Sequence, residues 1–312
     1  MTRVASIGEC MIELSQAGGG LLARSWGGDT LNTAVYLARL GVAVDYVTAL
    51  GDDPWSDEMV EAWRAEGVGT GLVVRVPGRV PGLYLISTDE QGQRRFHYWR
   101  ESAPARLLFD LPQTDGIVAA LAGYDLIYVS GISLSLYGEA GRERLLSTLD
   151  AARERGRRVV FDTNFRARLW PDRTQARAVY RAALKGADTI MASTEDLAQL
   201  FGDAGLAELP TGEPAREVVI RLAEPAVRIF HAGGEQTVAA PPIENVVDTT
   251  AAGDSFAAAY IAGRLAGAEP ADAARCGHRL AGAVVQHRGA IIPRAAMPDD
   301  CRVPMKRTGG VP

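Results

Sequence analysis

Apolar runs of strand length alternate with stretches of helical period along most of the chain. Residues 3–8 (RVASIG) read as a buried strand. Residues 29–41 read as a helix, with Leu31, Ala34, Val35 and Ala38 on one stripe. Asp29 stands where a cap belongs and Gly41 where the helix should stop. Residues 44–50 return as a strand, and 57–66 (DEMVEAWRAE) form an amphipathic helix. Further strands are predicted at 125–130, 158–163, 188–192 and 217–220, with helical stretches between them. Continuous apolar strands separated by helices predict an α/β fold in three layers, its central, mostly parallel sheet covered on both faces. In such sheets ligands bind beyond the carboxyl ends of the strands.

One region breaks the rhythm. Residues 82–88 (GLYLIST) and 93–100 (QRRFHYWR) are two β-rich runs separated by Asp89, Glu90, Gln91 and Gly92, a hairpin signal. Residues 10–14 (CMIEL) join them. The expectation is a single domain over 1–312 carrying a small, discontinuous β lid from about 10–26 and 72–102. Gly18, Gly19 and Gly20 would form its tip, and 303–312 a frayed tail. Period-two alternation puts Tyr84 with Ile86 on one face of their strand, and Phe96, Tyr98 and Arg100 on one face of theirs. Should the two faces coincide, two tyrosines and an arginine address one place; a plain hairpin surface fits the same period.

Composition narrows the class. The chain has 312 residues, 47% hydrophobic and 23% charged, which excludes a disordered tail, a collagen-like fibre and a disulfide-stapled miniprotein. With 33 basic and 38 acidic residues the net charge is −5, so no broad footprint for nucleic acid exists. Three cysteines without a CxxC pair suit a reducing compartment. The longest uncharged run, Leu126 to Gly138, has 13 residues against the ~18 a membrane helix needs. Glu9 and Glu13 interrupt the apolar N-terminal stretch, unlike a signal peptide. A cytoplasmic location without membrane partners is expected.

Chemistry concentrates in residues 246–267, VVDTTAAGDSFAAAYIAGRLAG. An extended run reaches Asp248, three small residues follow (Ala251, Ala252, Gly253), and a helix starts at Asp254. Small residues allow close backbone approach, and the first amides of a helix lack internal partners at the positive end of its dipole. A phosphate fits there. A carboxylate beside it would accept the proton of an attacking hydroxyl. An aspartate in that position also serves as an ordinary N-cap. The segment is neither a Walker loop nor a dinucleotide fingerprint.

DTTAAGD resembles the D-T-x-G-A-G-D signature of the ribokinase-like (PfkB) carbohydrate kinases, and residues 27–34 (GGDTLNTA) resemble that family's first glycine motif. GLYLIST with FHYWR, FDTNFR (161–166) and RGAIIPRAAMP (288–298) narrow the resemblance to the branch acting on 2-keto-3-deoxygluconate. The resemblance implies ATP-dependent transfer to the terminal hydroxyl of that sugar acid, with Mg2+. Asp254 would be the base, and the amides of Ala251, Ala252 and Gly253 the anion hole. Gly28, Asn32, Tyr84, Tyr98, Arg100 and Arg166 would bind substrate. Ser193, Glu195, Arg221, Ala223, Gly253 and His278 would border the nucleotide, Glu195 acting indirectly on the metal. The arginines suit the subgroup, because a guanidinium fork matches a carboxylate that a neutral sugar lacks.

Three departures stand out. Ala251 replaces the usual first glycine, Ala192 stands for the asparagine of N-x-x-E, and Ile220 takes the place of the lysine in V-V-K-x-G-x-x-G. Two other readings remain: a kinase of the same family for a neutral sugar such as fructose or ribose, and a non-catalytic sugar-acid binder. Assembly as a homo-oligomer, a dimer or larger, is expected from an apolar lid. The histidines show no metal spacing, and Cys276 reads as core.

Overall fold

The computed structural model describes residues 2–88, 94–213 and 216–301. The chain runs through β1 (Arg3–Ile7), β2 (Met11–Gly18), β3 (Leu21–Gly27), α1 (Asp29–Arg39), β4 (Ala43–Gly51), α2 (Pro54–Ala65), β5 (Val73–Val76), β6 (Leu83–Thr88) and β7 (Arg94–Trp99). It continues as α3 (Thr114–Leu121), β8 (Leu126–Ser130), α4 (Gly131–Leu136), α5 (Glu139–Glu154), β9 (Arg158–Asp162), α6 (Arg173–Lys185), β10 (Thr189–Ser193) and α7 (Thr194–Phe201). Then come β11 (Glu217–Arg221), β12 (Ala226–His231), β13 (Gly234–Ala239), α8 (Ala252–Leu265) and α9 (Pro270–Val284).

A nine-stranded sheet has the order β13-β12-β11-β10-β9-β8-β1-β4-β5. Seven of its strands are parallel, and β12 and β13 close one edge antiparallel. Alternation within each strand splits the core. Val4, Val44 and Leu126 face a layer of α1, α2, α8 and α9, whereas Ala5, Val47 and Ile127 face α3, α5, α6 and α7. The three-layer expectation therefore holds. Because β1 lies between β8 and β4, the strand order reverses there, and the carboxyl ends of β1, β8, β9, β10 and β11 open towards one crevice.

The second sheet, β3-β2-β6-β7, is the lid. Tyr84 pairs with Tyr98 and Ile86 with Phe96, so the two cleft faces do coincide. The Tyr84 and Tyr98 rings stack 5.8 Å apart.

The structure corrects several expectations. Val73–Val76 pairs with β4, not with the lid, so the second lid segment starts at Leu83. The reason is packing on both sides, Val73 against one core and Val74 and Val76 against the other. Gly28, not Asp29, is the N-cap of α1. The hairpin β12–β13 follows β11 and was not anticipated; β12 alternates, with Val227 and Ile229 buried, but the polar positions Glu235, Gln236 and Thr237 give β13 no apolar strand signal. The turn at 89–92 and the tail at 303–312 lie outside the described residues. Among the described residues no helix is long and apolar enough to cross a membrane.

Candidate active site

The segment around α8 is fixed from behind. Nine successive residues, Ser255 to Gly263, are buried between neighbouring helices, so the first turn cannot wander. Before it, Asp248 accepts from the amides of Thr250 and Gly289 at 2.9 Å each, which pins the approach. The N-cap is Ala251, at φ 60° and ψ 13°. That left-handed conformation explains why a glycine is the more usual residue there, and an alanine carries about 1–2 kcal/mol of strain in it. The amide of Ala252 donates to Thr249 O at 3.3 Å, a long bond with which an arriving anion would compete.

Asp254 lies in the first turn, yet its carboxylate does not cap the helix. It accepts instead from Asn32 Nδ2 of α1 at 2.8 Å. Burial, then the neighbouring Asp29, raises the Asp254 carboxyl to about 7, against the opposing bond from Asn32. Asp29 is likewise raised, first by burial, and accepts from Asn164 Nδ2 at 2.7 Å. Asp162, at the end of β9, completes a group of three carboxylates; Arg221 Nη2 donates to it at 3.1 Å. Burial works against the charge of Arg221, but Asp162 more than offsets this and raises its pKa. The Arg221 guanidinium also lies against Gly253, 3.6 Å from where a side-chain carbon would begin. A cation, a helix start and a carboxylate of intermediate affinity for protons thus converge. The arrangement suits deprotonating a hydroxyl next to a bound phosphate.

The lid supplies the opposite wall. Its cleft face presents Glu13, Ser25, Tyr84, Ile86, Phe96 and Tyr98. Tyr84 donates its hydroxyl to Glu13. From the body, Arg168 places its guanidinium 3.9 Å from the Tyr98 ring centroid. A cavity of about 860 Å3 lies under this face, bounded on the body side by Asp248, Thr250 and Gly289. Asp254 is not in its wall; the cavity opens beside the motif.

A model of pfkB family carbohydrate kinases matches residues 1–297. The chain belongs to this family. A 2-dehydro-3-deoxygluconokinase of Dickeya dadantii is 46% identical over 306 residues, covering 95% of this chain and 98% of that protein. The crystal structure of a 2-dehydro-3-deoxygluconokinase from Thermotoga maritima matches with a TM-score of 0.82 at 25% identity, over 94% of this chain and 96% of its own. A fructokinase from Xylella fastidiosa with bound ATP shares the fold, with a TM-score of 0.80 at 24% identity and 95% of each chain covered.

Within this pfkB-family site the residues singled out by sequence fall in two groups. Asn32, Ala251, Ala252, Gly253, Asp254 and Arg221 gather around the start of α8, Gly28 caps α1 against the backbone of Glu9, and Tyr84 and Tyr98 line the lid. Arg166 follows β9 with its side chain 45% exposed, 3.9 Å from Asp196. Arg100 is buried against Glu9. The nucleotide-side group is looser. Ser193 caps α7 by accepting from the Asp196 amide at 3.0 Å. Glu195 is exposed and accepts from Gln199, while its neighbour Asp196 turns inward and accepts from Thr163 Oγ1 at 2.8 Å. Ala223 is exposed in the turn after β11. Ile220 is fully buried, and the cation next along, Arg221, is the one that reaches the motif. His278 is turned into the core: its Nε2 lies 3.0 Å from Val238 O and its ring 5.1 Å from Phe256.

Sequence reasoning missed Asp162, Asn164, Arg168, Asp196 and Glu9 as site residues. Asp162 ends a strand, and Glu9, Asn164 and Asp196 follow one within four residues; that position was the available signal, and Arg168 lacks it.

Proposed function

We propose that this chain phosphorylates 2-keto-3-deoxygluconate (2-dehydro-3-deoxygluconate) with ATP, giving 2-keto-3-deoxy-6-phosphogluconate and ADP. The reading is carried by Asp254: a carboxyl near neutrality, held by Asn32 at the mouth of a helix whose small residues leave the backbone open to a phosphoryl group. Asp254 takes the proton of the 6-hydroxyl as that oxygen attacks the γ-phosphorus, and the bond to the β-phosphate oxygen breaks. The amides of Ala251, Ala252 and Gly253, with Arg221, face the group in transfer. Gly28, Asn32, Tyr84 and Tyr98 surround the sugar, and Arg100 and Arg166 take its carboxylate. The preference for an acid is supported by these cations and by the names of the relatives.

Mg2+ would be carried by the nucleotide and would supply positive charge against its phosphates. Among the described residues no cluster of three or more metal-ligating side chains exists to cage it. Asp196 lies near Asp162 and Arg221, and burial raises its carboxyl; a cation beside it would relieve that. On this reading Asp196, with Asp162, rather than the exposed Glu195, would act on the metal.

We place the enzyme in the cytoplasm, consistent with three free cysteines. Leu22 and Trp99, 51% and 57% exposed, share the lid face turned from the cleft and favour assembly into a dimer or larger. The test is a coupled ADP-release assay across sugar acids and neutral sugars, with Asp254→Asn as control. A clear preference in kcat/KM for the keto-deoxy acid over neutral sugars, with turnover lost in the control, is expected. Equal turnover on fructose, or full turnover in the control, overturns the reading.

A further inference from the structure

Arg100 does not enter the cleft as a free cation. Its Nη2 donates to Glu9, and the two side chains are 7% and 1% exposed. Glu9 sits just past the end of β1, in the segment that leaves the large sheet for the lid. Two glycines make room for the pair. A side chain on Gly28 would collide with the Glu9 carbonyl, and one on Gly82 would begin 3.1 Å from both Glu9 Oε1 and Arg100 Cβ. The first glycine motif, the lid root and the pair are therefore one packed unit.

The pair is only half satisfied. Glu9 Oε1 and Arg100 Nε are both buried without a partner. A buried ion pair with orphaned atoms is a poor device for stability, since apolar packing does as well. It is a good device for aim, because a guanidinium held at one nitrogen keeps a fixed direction for the rest of its fork. The same design recurs four residues on. Glu13, on β2, accepts from Tyr84 and, at 2.9 Å, from Ser25, fixing a second lid side chain.

The geometry points to Glu9 as a positioning residue for the carboxylate end of the substrate: by pairing with Arg100 it fixes where that guanidinium meets the sugar acid, and so sets the preference for an acid over a neutral sugar. This rests on Arg100 taking the substrate carboxylate. Glu9 itself touches neither the reacting hydroxyl nor the phosphoryl group, so its effect belongs to KM and selectivity.

The experiment compares Glu9→Asp, Glu9→Gln and Arg100→Ala in steady-state kinetics on 2-keto-3-deoxygluconate, with D-fructose as the neutral substrate or competitive inhibitor and melting curves as the folding control. Glu9→Asp keeps the charge but withdraws it by one methylene. It should raise KM for the acid about tenfold, since misplacement of a binding group by ~1 Å costs that much or more. Its kcat and the fructose constant should stay within about twofold. Glu9→Gln keeps the reach and an acceptor, and should return KM for the acid to within about threefold of the parent. In the Arg100→Ala background neither Glu9 change should add to the loss. Unchanged KM in Glu9→Asp, or an equal rise for acid and fructose, would overturn the proposal while leaving Arg100 in place. If Arg100→Ala itself leaves KM for the acid unchanged, the reading of Arg100 falls, and the proposal with it.

Discussion

Asn32 donates to Asp254 Oδ2 at 2.8 Å, joining two helices whose residues are 222 positions apart in the chain. The other end of the same carboxamide, Oδ1, is buried without a partner. One side chain thus steadies the base and keeps an acceptor for a sugar hydroxyl. The base is held in a place where its charge is costly, and its behaviour follows from that cost.

Replacing Asp254 by Asn should abolish turnover and stabilise the fold at neutral pH. The native carboxyl is raised to about 7 from 3.8, by burial first and Asp29 second. Between these values the native state binds more protons than the unfolded chain, so stability falls as pH rises through that window. Asn pays no such cost. Its advantage should grow from about pH 4 to pH 7 and then level off, at roughly 1–2 kcal/mol after allowance for partial solvent screening. Melting curves at pH 4, 6 and 8 measure it; a variant less stable than the parent at pH 8 contradicts the environment described.

Activity should follow the same titration. The base works ionised, so kcat/KM should drop tenfold per pH unit below a limb near pH 7, which reports the free enzyme. Asp29 contributes to the raised value through its negative charge. Asp29→Asn should therefore move the limb to lower pH, by roughly half a pH unit or more. A limb that stays put would show that burial alone sets it.

Much of this was legible in the chain. Period and apolar runs located the parallel sheet, because strands buried on both faces must be continuously apolar. Alternation placed Tyr84 and Tyr98 on one face, since a strand has no other way to arrange them. The sheet-edge hairpin β12–β13 was not legible, because β13 is polar and mostly exposed and β12 is buried only at alternate positions, so neither is continuously apolar. Pairings between distant elements were invisible too. Nothing in the sequence tells that Asp29, a plausible cap, instead meets Asn164, or that Asp196 rather than Glu195 turns inward; helix rotation against the sheet decides both.

Ala251→Gly tests the strained start of α8. Alanine at φ 60° costs about 1–2 kcal/mol, while the added freedom of glycine in the unfolded chain costs about 0.5–1. A net gain of roughly 0.5–1 kcal/mol in stability is expected, seen as a higher denaturation midpoint. Turnover should remain, because the amide that faces the phosphoryl group is unchanged. A loss of stability would mean that the Ala251 methyl is packed rather than strained.

Arg166 and Arg168 leave the same loop after β9 but should fail differently. Arg166 is 45% exposed at its side chain and only loosely attached, 3.9 Å from Asp196, so a substrate carboxylate can engage it. Losing one partner of a desolvated charge pair costs about 2–5 kcal/mol. Arg166→Ala should therefore raise KM for the sugar acid about 30-fold or more and leave fructose unaffected. Arg168 is occupied, its guanidinium lying 3.9 Å over the Tyr98 ring and tying the body to the lid. An exposed contact of this kind is worth about 0.5–1 kcal/mol. Arg168→Ala should raise KM only about two- to fivefold, and by the same factor for acid and neutral sugar, because lid closure is indifferent to the carboxylate. Parallel kinetics on the two substrates separate these outcomes. Acid-selective loss in Arg168→Ala would instead put that arginine on the substrate and take the lid contact out of the account.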